Sequence, residues 1–189
     1  MLSYLRSFMM TEKEIETSEA NTMVQNANTY VENMDIQNAI PLYISASEIY
    51  LKHNQIARFS DCAVRAARFC IQFEYYEVAI GLLEKVVTKN ADNSLTKWAN
   101  SEYLMNAMLI HILQNNYDEN ISKYQEMLNH TYFLSVREGI FIKELQESIV
   151  KGDEKMYTDT VKGYDEITRL DPLKVTMLLR IKNKFFHVL

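Results

Sequence analysis

The chain has 189 residues, only four glycines and two prolines, and a formal charge of −5. So few helix breakers, with Leu, Ala, Met, Glu, Lys and Gln throughout, predict a nearly all-helical protein without strands. The acidic balance argues against nucleic acid as the main partner, since phosphate binding needs a basic face, and no apolar run is long enough to span a bilayer.

Met1–Met10 comes first, as MLSYLRSFMM. It runs into Thr11, Glu12, Lys13 and Glu14 with no small-residue cleavage site, so it makes a poor secretory signal and the chain reads as cytoplasmic. Leu2, Leu5 and Met9 recur at helical spacing, with Tyr4 and Phe8 in an adjacent row. Shifted by forty residues, Tyr43–Tyr50 lands on Ser3–Met10, so the segment reads as the rear of a helix whose partner is missing. An uncovered apolar face of this kind favours self-association or peripheral membrane contact, with simple disorder of the segment as the alternative.

Four helix hairpins follow, over about 15–52, 55–90, 95–130 and 133–170, and a last helix over 172–186 completes a single helical-repeat domain of 1–189. Two markers carry the period. AIPLY from Ala39, AIGLL from Ala79, NISKY from Asn120 and TVKGY from Thr160 stand 40, 41 and 40 residues apart. The small residues Ala27, Ala67, Ala107 and Ser148 stand 40, 40 and 41 apart. Polar turns, VENMD, FEYY, QNNYD and VKGDEK, separate the two helices of each pair. Asp35, Asp118 and Asp153 fall at expected N-cap positions, and Pro41 is tolerable if its helix starts near Asn38. Such pairs cannot bury their faces alone. They are expected to stack as a right-handed α-α superhelix, a TPR-like solenoid of about nine helices, with a plain bundle as the alternative.

Cys62 and Cys70, eight apart on one predicted helix, read as buried free thiols. None of His53, His111, His130 and His187 pairs with another His or Cys at a ligand spacing. No phosphate-binding glycine loop or nucleophile elbow occurs. Glu144 and Glu147 read as a solvated face, and the glycosylation triplets at Asn120 and Asn129 arise by chance in an Asn-rich chain. The expectation is a binding surface, not an enzyme, with no cofactor and no metal.

The end of the chain carries the most specific signal. Between Tyr164 and Phe185 an apolar run, Val175–Leu179, stands in a basic frame of Lys174, Arg180, Lys182 and Lys184. YDEITRLDPLKVTMLLRIK resembles the C-terminal segment of the α/β-SNAPs, the soluble NSF attachment proteins. DCAVRAARFCIQFEYYEVAI, NSLTKWANSEYLMNA and YTDTVKGYDEI are similar to consecutive helices of that family, in order. The chain looks like a short, divergent member covering about the C-terminal two thirds of a typical one and lacking the N-terminal repeats.

The resemblance implies an adaptor, cytoplasmic and peripheral to membranes. It would bind assembled, syntaxin-type SNARE complexes and link them to an NSF-type AAA ATPase, which unwinds them in vesicle fusion. It implies SNARE contact at Arg65, Lys97 and Arg137, and an NSF-facing end at Leu178, Leu179, Arg180 and Lys182. Asp171 would cap the last helix, Pro172 would take its first position, and Leu173, Met177, Leu178 and Ile181 would close the solenoid. The sequence also departs from the family. Asn21, Asp61 and Ser101 replace basic residues, and NKFFHVL stands where an acidic tail is usual. These departures leave two alternatives: a truncated SNAP-derived regulator that occupies SNAREs or NSF without driving disassembly, and a repurposed helical-repeat scaffold.

Overall fold

A computed structural model describes residues 10–90, 99–127 and 135–186, the side chains of 125–127 excepted. Among the described residues are nine helices and no strand: α1 (Glu12–Glu32), α2 (Ile36–Lys52), α3 (Ile56–Gln72), α4 (Tyr76–Asn90), α5 (Asn100–Gln114), α6 (Tyr117–Met127), α7 (Arg137–Lys151), α8 (Glu154–Ile167) and α9 (Pro172–Phe186). This is the all-α, helix-hairpin class that the sequence implies. The expectations for residues 1–9, Lys97, Asn129, His130 and His187 lie outside the described residues.

The chain forms two compact units, Met1–Leu82 and Leu83–Leu189. In the first, α1 opens with a capping box: Thr11 Oγ1 accepts from the Glu14 amide at 3.2 Å, and Glu14 Oε2 accepts from the Thr11 amide at 2.7 Å. α1 buries only Ala20 and Ala27, seven apart on one stripe. Small contacts and polar ties therefore hold it to α2. Tyr43 Oη donates to Asn28 Oδ1 at 2.6 Å, Tyr50 Oη donates to Asn21 Oδ1 at 2.8 Å, and Lys52 Nζ lies 2.6 Å from Glu16. α2 and α3 bury full apolar stripes, from Ile36 to Tyr50 and from Phe59 to Ile71.

In the second unit, α6, α7 and α9 pack on α5, and α8 packs on α7 and α9. Every residue of α5 from Leu104 to Ile112 is buried, so this helix is central and enclosed on all faces. Its polar members need partners, which, among the described residues, His111 finds and the buried Asn106 Oδ1 does not. His111 Nε2 lies 2.7 Å from Tyr124 Oη, and its Nδ1 lies 2.9 Å from Asn116 Oδ1. Tyr124 Oη in turn donates to Glu84 at 2.9 Å. Burial, reinforced by the Glu84 carboxylate, pushes the Tyr124 phenol far above its ordinary range, so it remains a donor.

Both repeat markers are core positions. Ala27, Ala67, Ala107 and Ser148 are fully buried, and so are Tyr43, Leu83, Tyr124 and Tyr164, the last residues of the four quoted segments, to within a few percent. The fourth hairpin departs in an instructive way. Seven, seven and eight residues separate Ala27, Ala67 and Ala107 from the turn residues Met34, Glu74 and Asn115, but only four separate Ser148 from Gly152. α8 in compensation starts six residues before Thr160, where α2, α4 and α6 start three before Ala39, Ala79 and Asn120. About one 3.6-residue turn has moved from the first helix to the second, so both keep the same face inward.

Five turns close alike, with Met34, Asn54, Glu74, Asn115 and Gly152 at φ of 61°, 56°, 63°, 62° and 64°. In each, the next amide bonds back to a carbonyl five residues earlier, from Asp35 to Tyr30 at 2.8 Å through Asp153 to Ser148 at 2.9 Å, which satisfies a helix end. Only the last turn uses glycine. Met34, 83% exposed, carries a left-handed backbone with no buried contact to offset it. Met34→Gly should therefore raise stability, and Gly152→Ala lower it, each by about 1 kcal/mol. Urea midpoints check this, and two unchanged midpoints would contradict it.

Two local expectations are corrected. α2 begins at Ile36, so Pro41 lies inside the helix. It is tolerated because it and Gln37, whose carbonyl it leaves without an amide, both face water. α6 begins at Tyr117, so Asp118 sits in its first turn and is not the cap, because the left-handed Asn115 ends α5 just before it. Its charge there still complements the helix dipole. Asp153 does cap α8, accepting from the Met156 amide at 2.8 Å. Asp35 occupies the N-cap of α2 without a side-chain cap bond and accepts from Asn38 Nδ2 at 2.8 Å.

Cys62 and Cys70 are buried and unbridged. Burial pushes each thiol up to about 11 from an ordinary value of 9.0. The folded state thus holds these protons more firmly than the unfolded state. Stability is unaffected below pH 9 and should fall as pH rises toward about 11. At neutral pH a thiol-specific reagent should label both only when urea unfolds the chain. Fast labelling of the native protein would contradict this.

Candidate partner-binding surfaces

The C-terminal hairpin of α8 and α9 answers what the basic frame is for. Asp171 Oδ1 accepts from the Lys174 amide at 3.0 Å, capping α9 with Pro172 in its first position. Lys174 is not a solvent-facing member of the frame. Its side chain is 8% exposed and lies 2.7 Å from Glu102 Oε1 and 2.9 Å from Asp171 Oδ2. Lys184 Nζ donates to the Leu113 carbonyl, and Lys182 Nζ reaches Glu154 at 3.0 Å and Thr158 at 3.2 Å. Tyr157 Oη donates to the Leu178 carbonyl at 2.8 Å. Three of the four basic residues therefore fasten α9 to α5 and α8. Met177, Leu178 and Ile181 pack inward, and Leu173 is half-buried.

Of the four residues read as an NSF-facing end, Leu178 is core, Leu179 is 54% exposed, and Arg180 and Lys182 are half-buried. Leu178, Leu179 and Lys182 meet in one groove of about 250 Å³, lined also by Tyr157, Thr158, Val161, Lys162 and Val175. Arg180 is not in that lining. Sequence reading missed Lys162, and placed Val175 in the apolar run but not among the NSF-facing residues. The signal for Lys162 was Thr158 and Lys162 at i, i+4 on the α8 face that the hairpin turns toward α9.

The residues read as SNARE-facing are placed as follows. Arg137 opens α7, is exposed, donates to Thr168 Oγ1, and lines a second groove of about 370 Å³ between α7 and α8 with Glu144, Asp159 and Tyr164. Arg65 is exposed on α3, with its Nε 3.1 Å from the Asp61 carboxylate. The Asp61 carboxylate thus offsets the charge beside it. Asn21 Oδ1 accepts from both Tyr50 and Arg58, the latter at 3.3 Å, so it serves the α1–α2–α3 packing. Ser101 is half-buried in the first turn of α5. Glu147 lies near Lys143 and Lys151 on a solvated face, at 3.9 and 3.7 Å.

Among the described residues, no group of three or more His, Cys, Asp or Glu could hold a metal ion, and no helix is long and apolar enough to cross a membrane.

The sequence profile of the soluble NSF attachment protein family, SNAP, matches residues 7–185. The chain belongs to this family. It is 32% identical over 153 residues to the beta-soluble NSF attachment protein of Bos taurus and 33% identical over 153 residues to the alpha-soluble NSF attachment protein of Homo sapiens, in each case over 80% of this chain and 51% of the relative. It is also 32% identical over 157 residues to a probable vesicular-fusion protein sec17 homolog of Schizosaccharomyces pombe, over 80% of this chain and 53% of that one. The chain thus spans about half the length of the curated relatives it matches. Within the SNAP family match fall all nine helices except the last residue of α9.

Proposed function

We propose that this SNAP-family chain is an adaptor that binds assembled SNARE complexes and links them to an NSF-type ATPase for disassembly in vesicle fusion, acting in the cytoplasm at membrane surfaces with no chemistry of its own. The observation that carries the reading is the family match over residues 7–185, joined to relatives named as NSF attachment and vesicular-fusion proteins. Arg65, Arg137 and Lys97 are proposed to face the acidic SNARE bundle. The end of α9 with Leu178, Leu179, Arg180 and Lys182 is proposed to face the ATPase. Met10, 57% exposed, leaves peripheral membrane contact or self-association through Met1–Met10 within the proposal, and vesicle flotation and light scattering test it.

Capture on beads tests the adaptor reading: the immobilised chain should hold both assembled SNARE complex and NSF. Arg65→Glu with Arg137→Glu should weaken SNARE capture by about tenfold and flatten its salt dependence, because exposed charges act through screened attraction of about 1 kcal/mol or less each. Unchanged capture would place the surface elsewhere. A second reading, a SNAP-derived regulator or repurposed scaffold that does not stimulate NSF, is favoured by the Asp61–Arg65 pairing and by the engagement of Lys174, Lys182 and Lys184 in contacts within the chain. A regulator would hold SNAREs or NSF without disassembly, and a scaffold would hold neither.

A further inference from the structure

α9 carries two apolar faces. Met177, Leu178 and Ile181 pack inward, yet Val175 and Leu179, one turn apart, remain 41% and 54% exposed. They form one wall of the α8–α9 groove, opposite Tyr157 and Val161. The charge in this lining has one sign. α8 carries Glu154, Asp159, Asp165 and Glu166, but the only charged residues lining the groove are Lys162 and Lys182. Lys182 sits at the Thr158 level of α8, 3.2 Å from its hydroxyl. Lys162 lies four residues further along α8, about 6 Å at 1.5 Å per residue. Lys162 is exposed and makes no ion pair among the described residues. The groove is thus an apolar trough with Lys162 at one end and Lys182, ion-paired with Glu154 at 3.0 Å, at the other. Its roughly 250 Å³ is below the ~300–1,000 Å³ common for small-molecule sites and suits one or two inserted side chains.

We propose that this groove docks a peptide segment of a partner protein in which bulky aliphatic residues are flanked by carboxylates. The aliphatic side chains would pack on Val161, Val175 and Leu179. One carboxylate would pair with Lys162, and a second would share Lys182 with Glu154. Apolar anchors supply most of the affinity in such helix-in-groove recognition, and the charges set orientation and reject basic competitors. The ligand class belongs to this one hairpin, whether or not the chain recruits SNAREs or NSF.

The test uses the full chain alone and a fluorescein-labelled peptide with two leucines flanked by aspartates. Controls are the same peptide with lysines for the aspartates, the same peptide with serines for the leucines, and vesicles of phosphatidylcholine with phosphatidylserine. The acidic leucine peptide should bind, shifting the methyl resonances of Val161, Val175, Leu178 and Leu179, with each control peptide weaker by about tenfold or more. Lys162→Glu and Leu179→Asp, both at exposed positions, should each weaken it by about tenfold with an unchanged circular dichroism spectrum. Equal binding of the acidic and basic peptides, or shifts confined to other methyls, would overturn the proposal. Binding to the vesicles without peptide binding would assign the face to lipid and overturn it as well. Because neither SNARE nor ATPase is present, a failure here is distinct from a failure of the adaptor reading.

Discussion

Replacing both carboxylates around Lys174, Glu102→Gln with Asp171→Asn, should lower the unfolding free energy by about 3 kcal/mol, whereas Lys174→Met should lower it by less than about 1 kcal/mol. The asymmetry follows from burial. The Lys174 side chain is 8% exposed, but those of Glu102 and Asp171 are 49% and 26% exposed. Without the carboxylates, an ammonium is left inside the fold with no counter-charge. Without the lysine, the carboxylates turn to water and a methionine fills the space. Asparagine at 171 still caps α9, so the loss reports the charge and not the cap. The single change Glu102→Gln should fall between, since Asp171 keeps one ion pair. Urea unfolding followed by circular dichroism reads all three variants. Equal losses for the double variant and Lys174→Met would mean that the ammonium is not desolvated, and that the join between the starts of α5 and α9 rests on apolar packing alone.

A second large effect is expected at the small-residue marker. Ala67→Leu should cost about 2–3 kcal/mol, because three added carbons at a fully buried position force α3 away from its neighbours. Ala57→Leu, ten residues earlier on the exposed side of the same helix, should change stability by less than about 0.5 kcal/mol. The contrast separates size tolerance from helix propensity, since the substitution is the same. If both variants unfolded at the wild-type urea concentration, the forty-residue recurrence of Ala27, Ala67, Ala107 and Ser148 would have no packing meaning.

Much of this architecture is legible in the residues. The hairpins could be placed because two markers on different helices keep one period, and both prove to be buried. The turns were harder to read. Left-handed residues are usually announced by glycine or asparagine, and Met34 and Glu74 give no such signal. Asp118, expected as the cap, lies in the first turn of α6 because the left-handed Asn115 ends α5 just before it. The turn transferred from α7 to α8 is silent in the pattern because a whole turn leaves the inward face unchanged. At the C-terminal end, the apolar run and its lysines stood out in the sequence. That Lys174 is internal depends on Glu102, seventy-two residues away, and local spacing holds no trace of that pairing. Lys162 joins the groove only because α8 and α9 pack as a hairpin. Arg65 pairs with Asp61 one helical turn away, a contact that the i, i+4 spacing on α3 allows but that says nothing about a partner.

The most direct measurement of the adaptor reading is a disassembly reaction. It combines a fluorescently paired, preassembled SNARE complex, NSF, ATP and this chain as the only attachment protein. The account predicts loss of energy transfer that requires ATP, NSF and the chain together, and that is slowed by Arg65→Glu with Arg137→Glu. Energy transfer that persists, with no SNARE complex or NSF retained on the immobilised chain, would contradict it.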